Sequence, residues 1–437
     1  QVKKQLKHLK YYIHFMKNNK LAIYGGKKII LKKFKRYNSI GKEEIIAANK
    51  VLKTGILSDF IAGNNSKFLG GSKVKEFEKY CAKYFKVKYA VTVNSWTSGL
   101  VCAVGAIDIE PGDEVIVTPW TMPATATAII HWNAIPVFAD IDKDTFNISP
   151  KSIIKNISKK TKAIIAVDIF GQSAEIDKIM KIAKKYNLKV ISDSAQAIGT
   201  LNKGRFSGTI ADVGGFSLNY HKHINTGEGG ILVTNNKKIY NKLTLIRNHG
   251  EMSVNSKNKK ILANTFGHNF RLGEIESAIG IEQLKKLNFF IKKKRLIAEK
   301  LSNGISDLLG LQTPKVLDEY THSYYKYPIT LSGRAIKKRS LIKKALESEG
   351  IQGLSDGYIC THLLPMYQQK IAYGSKGFPW NSEVYKKNIS YKKGICPVAE
   401  NLHFKSYLGL SLDLYDLNLK DINLIIKSFR KVWKQFF

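Results

Sequence analysis

From residue 89 to residue 192 the chain alternates short apolar runs with longer segments whose apolar residues recur at helical spacing. Few architectures accommodate that rhythm. Residues 89–93, 114–118, 135–139, 163–169 and 188–192 are predicted strands, and 98–107 and 124–132 predicted helices. Residues 163–169 are almost wholly apolar, as expected of a strand covered on both faces. Ser149 followed by Pro150 is a helix start, a capping hydroxyl ahead of proline at the first helical position. Ile176, Ile179, Met180, Ala183 and Tyr186 form one apolar helical stripe, with Asn187 as its stop. Strands alternating with helices predict an α/β fold around a mainly parallel sheet, with function at the carboxyl ends of its strands.

Further helices are expected over residues 41–53 and 72–85, from 272 towards 311, and from Lys420 to the end. A basic arm (1–40, with a Gly25-Gly26 turn), a large domain (41–290) and a smaller C-terminal domain (291–437) follow as the expected division. The 437 residues, 44% of them apolar, are ample for two cores. No uninterrupted apolar run is long enough to cross a bilayer, and the basic first twenty residues lack the apolar stretch of a secretory signal. A cytoplasmic protein without membrane insertion is expected. Cys81, Cys102, Cys360 and Cys396 show no CxxC spacing and read as reduced, buried thiols. The net charge of +37 comes from lysines spread along the whole chain, not from a compact basic and aromatic block. That distribution speaks against a nucleic-acid partner, while the positive field would gather an anionic small substrate.

Four segments carry residues suited to chemistry. Asn94-Ser95-Trp96-Thr97-Ser98 follows a strand and opens a helix, where main-chain N–H groups and hydroxyls make an anion site. Thr118-Pro119-Trp120-Thr121-Met122 offers an aromatic at a strand end, although buried aromatics more often serve as core. Asp193 closes an apolar strand, with Gln196 three residues on; alone, Asp193 reads equally well as a helix cap. Lys222 lies in a stretch poor in charge, between His221 and His223, five residues after Ser217 and before Gly227-Glu228-Gly229-Gly230. A lysine that attacks an aldehyde needs such desolvated surroundings. Taken alone, Lys222 reads as a surface loop lysine.

Together, in this chain order, they supply a phosphate cradle, a stacking element, a carboxylate for a pyridine nitrogen and a lysine for an aldehyde. These are the needs of pyridoxal 5'-phosphate (PLP). From Gly41 onward the sequence resembles the DegT/DnrJ/EryC1/StrS family of PLP-dependent aminotransferases. Members carry a Ser-Gly-Thr-like turn, Pro-x-x-Thr-aromatic, Val-His-Leu-Tyr-Gly, Glu-Asp-x-Ala-Gln/His, Ser-Phe-x-x-x-Lys-x-x-x-x-Gly-Glu-Gly-Gly, Arg-x-His-Gly and Asn-x-Arg. Here these are Ser95-Trp96-Thr97, Pro119 to Met122, Val167 to Gly171, Ser192 to Gln196, Ser217 to Gly230, Arg247 to Gly250 and Asn269 to Arg271.

The resemblance implies the aspartate-aminotransferase (type I) fold, with a seven-stranded type of sheet and a smaller C-terminal α+β domain. It implies Lys222 holding PLP as a Schiff base and Asp193 on the ring nitrogen. Thr97, Ser98 and Ser217 would bind the phosphate, Gln196 would lie at the ring hydroxyl, and Asn269 would reach the phosphate in the partner of a homodimer. The usual stacking aromatic aligns nearest Met122, which leaves Trp120 or Trp96 to stack, and Asp168 stands where many members have His. The implied reaction moves an amino group from an amino acid, chiefly L-glutamate, to a keto-sugar, nucleotide-linked in most members, for surface polysaccharide or glycan synthesis. Two alternatives share the fold. A PLP-dependent sugar dehydratase is opposed by Lys222, where such members carry His. A non-enzymatic regulatory or nucleic-acid-binding protein is opposed by the intact Lys222, Asp193 and Ser217 set.

Overall fold

The computed structural model describes residues 20–61, 63, 65–250 and 266–437. Residues 1–19 of the expected arm lie outside them. Seven strands form the main sheet: β1 (Tyr89–Val93), β2 (Glu114–Val117), β3 (Ile135–Phe138), β4 (Thr161–Val167), β5 (Lys189–Asp193), β6 (Val213–Ser217) and β7 (Gly230–Thr234). Their order is β3-β2-β4-β5-β6-β7-β1. The pairs from β3 to β6 are parallel, and only β7 runs against its two neighbours. The sheet is therefore mainly parallel, as the alternation predicts, and β1, β4, β5 and β6 all end at one edge.

The strands are apolar on both faces because helices cover both. One face packs on α3 (Trp96–Ala106) and α4 (Ala124–His131); Leu100, Ala103 and Val104 of α3 are 0–1% exposed. The other face packs Ile164, Ala166 and Val190 on Ile176, Ile179 and Ala183 of α6 (Ile176–Tyr186). Predicted punctuation holds: Ser149 caps α5 (Pro150–Asn156) with proline at its first turn, and Asn187 ends α6 at φ 53°. Strand β4 begins and ends two residues earlier than expected. The chain leaves the sheet at Asp168, whose carboxylate takes the Ala174 N–H at 2.7 Å, and turns through Phe170 at φ 58°.

A second, four-stranded antiparallel sheet follows, in the order Leu311–Gln312, Tyr327–Leu331, Tyr407–Leu410, Leu354–Ser355. The 32-residue helix α8 (Glu274–Ile305) runs unbroken through residue 290. Its first half packs Leu284 and Leu287 against Phe77 and Phe216 of the first sheet's core. Its second half packs Ala298, Leu301 and Ile305 into the second core, with the C-terminal helix α10 (Leu419–Phe436). The described part of the arm is folded onto this second core. Leu21, Ile30 and Phe34 are 0%, 1% and 6% exposed, and the Ala22 and Ile29 N–H groups donate to the Glu349 carboxylate at 2.8 and 3.2 Å. Gly25 turns at φ 85°. All four cysteines are buried and free. Among the described residues no helix is long and apolar enough to cross a membrane.

Candidate active site

At the edge where β1, β4, β5 and β6 end lies a cavity of about 240 Å³. A roomier hollow of about 560 Å³ over residues 369–389 is open to solvent and lies away from the predicted site. Six predicted residues converge on the first cavity: Trp96, Thr97, Asp193, Gln196, Ser217 and Lys222.

Asp193 is the last residue of β5 and is 4% exposed. Trp96 Nε1 donates to its Oδ1 at 2.6 Å and Thr125 Oγ1 to its Oδ2 at 2.8 Å, while the Ala195 N–H approaches Oδ1 at 3.3 Å. Burial pushes the Asp193 carboxyl up, and these donors, with the Lys222 charge, pull it back.

Lys222 sits in the connection from β6 to β7, 7% exposed. Burial brings its ammonium down to about 8 against the opposing charges of Asp193 and Asp413. Its Nζ lies 4.3 Å from the centre of the Tyr325 ring, a cation–π contact that restrains the ammonium. Tyr325 Oη is 2.8 Å from His221 Nδ1, and His221 is held neutral, at about 4, by burial and by the Lys222 charge. Gln196 is fixed at both ends, accepting from the Phe170 N–H at 2.9 Å and donating to Tyr358 Oη at 3.2 Å.

Thr97 and Ser98 part company because successive helical residues point about 100° apart. Thr97 lines the cavity; Ser98 turns inward and donates to Asn94 Oδ1 at 2.6 Å. Ser217 accepts the Asn219 N–H at 3.3 Å, and Asn219 Oδ1 is buried without a hydrogen-bond partner. An orphaned acceptor beside Ser217 is what a donor group of a bound ligand would satisfy. A Cβ on Gly230 would stand 3.0 Å from the Ser95 carbonyl carbon and oxygen, so glycine lets the start of β7 touch the Ser95 turn.

Trp120 does not line the cavity. It is 0% exposed, edge-on to Tyr407 at 5.5 Å between ring centres, and Thr121 and Met122 line the wall instead. The Trp120 N–H bonds Thr118 Oγ1 at 3.1 Å, which tightens the turn that carries the indole into the core. Asn269 is exposed and away from this chain's cavity, bridged to Asn248, with its carbonyl 3.4 Å from Asn94 Nδ2. Thr125, Tyr325 and Tyr358 were not found in the sequence. Thr125 offers only a hydroxyl in a helical turn, and the two tyrosines join the site from over a hundred residues downstream.

The model of the DegT/DnrJ/EryC1/StrS aminotransferase family matches residues 54–399. The spore coat polysaccharide biosynthesis protein SpsC of Bacillus subtilis is 35% identical over 80% of this chain and 89% of its own length. The GDP-perosamine synthase of Vibrio cholerae is 34% identical over 76% and 92%. Among solved structures, Helicobacter pylori PseC, an aminotransferase involved in the biosynthesis of pseudoaminic acid, superposes with a TM-score of 0.76. It is 28% identical, and the match covers 93% of this chain and all of that one.

Proposed function

The chain belongs to the DegT/DnrJ/EryC1/StrS aminotransferase family, and from that premise we propose that it moves an amino group from an amino acid, L-glutamate first among them, to a nucleotide-linked keto-sugar. Relatives named for spore coat polysaccharide and for GDP-perosamine support a sugar acceptor and a role in surface polysaccharide or glycan synthesis. A cytoplasmic homodimer is part of the proposal. In it the exposed Asn269 faces the partner's phosphate subsite, which accounts for its position outside its own chain's cavity.

The observation that carries the reading is one buried lysine, brought near neutrality, in the same cavity as one buried carboxylate. The residues fit PLP, which the family uses. When bound, PLP supplies an aldehyde that accepts and hands on an amino group, and a protonated ring that draws electrons from the substrate carbon.

The chain does the rest. Lys222 Nζ, neutral for a substantial fraction of molecules near pH 8, would hold the cofactor through its aldehyde carbon, the aldehyde oxygen leaving as water. The same Nζ would be the acid and base that holds or moves a proton at the substrate's α-carbon. The Tyr325 ring keeps that ammonium at hand. Asp193, which lines the cavity, would pair with the ring nitrogen and hold it protonated. Thr97, Ser217 and the turn at Gly229-Gly230 would anchor the phosphate, with Ser98 bracing the Asn94–Ser95 turn from inside. Tyr358 and Gln196 brace the cavity opposite.

The test is the absorption spectrum of the chain with PLP before and after L-glutamate. A visible band that gives way to a near-ultraviolet one is expected. A visible band that no amino donor moves would exclude transamination, and Lys222→Ala should lose both the band and turnover.

A further inference from the structure

Position 96 departs from its family's pattern: a tryptophan occupies the middle of the Ser-Gly-Thr-like turn. An indole at the start of a helix under a sheet needs room, and two glycines supply it. A Cβ on Gly99 would stand 2.8 Å from Trp96 Cε3, and one on Gly215 would stand 2.4 Å from Cζ3. The ring is thus seated in a slot, 6% exposed. From that slot its N–H reaches Asp193 Oδ1 at 2.6 Å.

A carboxylate has about four lone-pair sites. Three on Asp193 are taken, each by a neutral donor: Trp96 Nε1 and the Ala195 N–H on Oδ1, and Thr125 Oγ1 on Oδ2. Thr125 Oγ1 is itself 2.9 Å from Thr121 Oγ1, which can donate to it and leave the Thr125 proton for Asp193. The fourth site, on Oδ2, is left for the cavity that Asp193 lines. Both oxygens are tied, so the carboxylate has one plane and one rotamer.

We propose that Trp96 is a positioning residue for Asp193, its indole N–H fixing the carboxylate so that a single acceptor site is offered to the cofactor's ring nitrogen. This rests on the reading of Asp193 as the ring-nitrogen partner. Donors to the ionised form also counter the burial that pushes this carboxyl up. The tryptophan therefore acts through Asp193 and touches no reacting atom.

The experiment uses the full chain labelled with 5-fluorotryptophan. Trp96→Phe keeps the bulk, removes the N–H and assigns the Trp96 ¹⁹F signal. In the PLP-free protein that signal should move in Asp193→Ala. With PLP and L-glutamate, Trp96→Phe should lose about tenfold in kcat, with KM for the donor within about twofold. The acid limb of its kcat profile should shift to higher pH, because an Asp193 that has lost a donor is protonated more readily.

Gly99→Ala guards against misfolding of the first variant. It keeps every functional group, displaces the indole, and should reproduce both the ¹⁹F shift and the fall in kcat. Trp96→Ala added to Gly99→Ala should restore the melting temperature but not kcat. A folded, PLP-loaded Trp96→Phe with wild-type kcat and pH profile overturns the proposal, as does a Trp96 signal indifferent to Asp193→Ala. A wild-type chain that takes up no PLP sinks the function proposed above instead, since the ¹⁹F contact is read without cofactor.

Discussion

Asp193 and Lys222 face the cavity, and a close counterpart of each stands just behind it. Asp168 follows β4 as Asp193 ends β5, and its main-chain N–H donates to the Asp193 carbonyl at 2.9 Å. His223 is the next residue after Lys222. The back pair is buried at least as deeply: Asp168 and His223 are each 1% exposed, against 4% and 7% for the front pair. Yet the roles differ. Asp168 accepts from Ser192 Oγ at 3.2 Å, from Ser194 Oγ and from the Ala174 N–H, all of which fold the turn after β4. Burial takes its carboxyl up to about 7. His223 Nε2 bonds the Ser323 carbonyl at 2.8 Å, and burial takes it down to about 3. A strongly shifted group is therefore not in itself a functional one. What separates front from back is access to the cavity and, for Asp193 and Lys222, the presence of each other.

The sharpest way to break that comparison is to remove the charge from each carboxylate. Asp193→Asn should lower kcat by about a thousandfold, roughly 4 kcal/mol of barrier, because the ring nitrogen loses its anionic partner. Asp168→Asn should leave kcat within about threefold and lower the melting temperature instead, since the side chain it replaces only holds a turn. Steady-state kinetics and thermal melts on both variants decide the matter. A thousandfold loss at Asp168 would put it in the site and end the distinction.

Lys222 and His223 differ in what pH does to them. With Lys222 at about 8, the rate at which the PLP-free chain captures PLP should rise between pH 7 and 9 and then level. A lysine at the ordinary value of about 10.4 would still be gaining beyond pH 9. Stopped-flow absorbance across that range separates the two.

The back pair should appear in stability instead, and with opposite signs. His223 at about 3 lies below its unfolded value near 6.5, so on acidification through that window the unfolded chain binds a proton the folded chain refuses, and stability falls. Asp168 at about 7 lies above its unfolded value near 3.9, so through that window the folded chain keeps a proton the unfolded chain sheds, and stability rises as pH falls. His221, neutral down to about 4, adds to the histidine side. Melting temperature against pH should therefore fall less steeply with acid in His223→Gln, and more steeply in Asp168→Asn, than in the parent chain. Parallel curves would mean that neither group titrates as its surroundings dictate.

The front pair could be picked out of the sequence only in combination and through the family resemblance, since alone Asp193 reads equally as a helix cap and Lys222 as a surface loop lysine; the back pair could not be picked out at all. Their neighbours in the chain, an apolar strand that ends in an acid and an uncharged stretch that leads into glycines, gain meaning only when taken together. The alternation that predicts the parallel sheet also predicts the edge at which both emerge. What depended on side-chain direction was not legible. Thr97 and Ser98 are equivalent in a sequence but diverge on a helix, and Trp120 is carried into the core by its own turn. Tyr325 and Tyr358 are brought in by the second sheet's packing, which no local pattern encodes. The arm gave no sign of its docking either, since among its described residues Leu21, Ile30 and Phe34, which mark the buried side, are irregularly spaced.

That arm supplies the smallest effect and the finest test of front against back. Tyr37 Oη donates to the His223 carbonyl at 2.5 Å, and Ser39 Oγ accepts from Asn225 Nδ2 at 2.9 Å. Both contacts grip the Lys222 loop from behind. Tyr37→Phe removes one buried hydrogen bond and leaves the ring in place over Lys294, which is worth about 1 kcal/mol. If the loop is held by many such contacts, that loss stays in the melt, and PLP capture keeps its rate within about twofold. If the His223 carbonyl alone sets where Lys222 points, capture slows about tenfold while the melting temperature scarcely moves. The first result is expected, because His223 is also tied through its ring to Ser323 and Asn225 through its N–H to Gln283 at 3.1 Å, so the loop keeps its backbone path when one tie is cut.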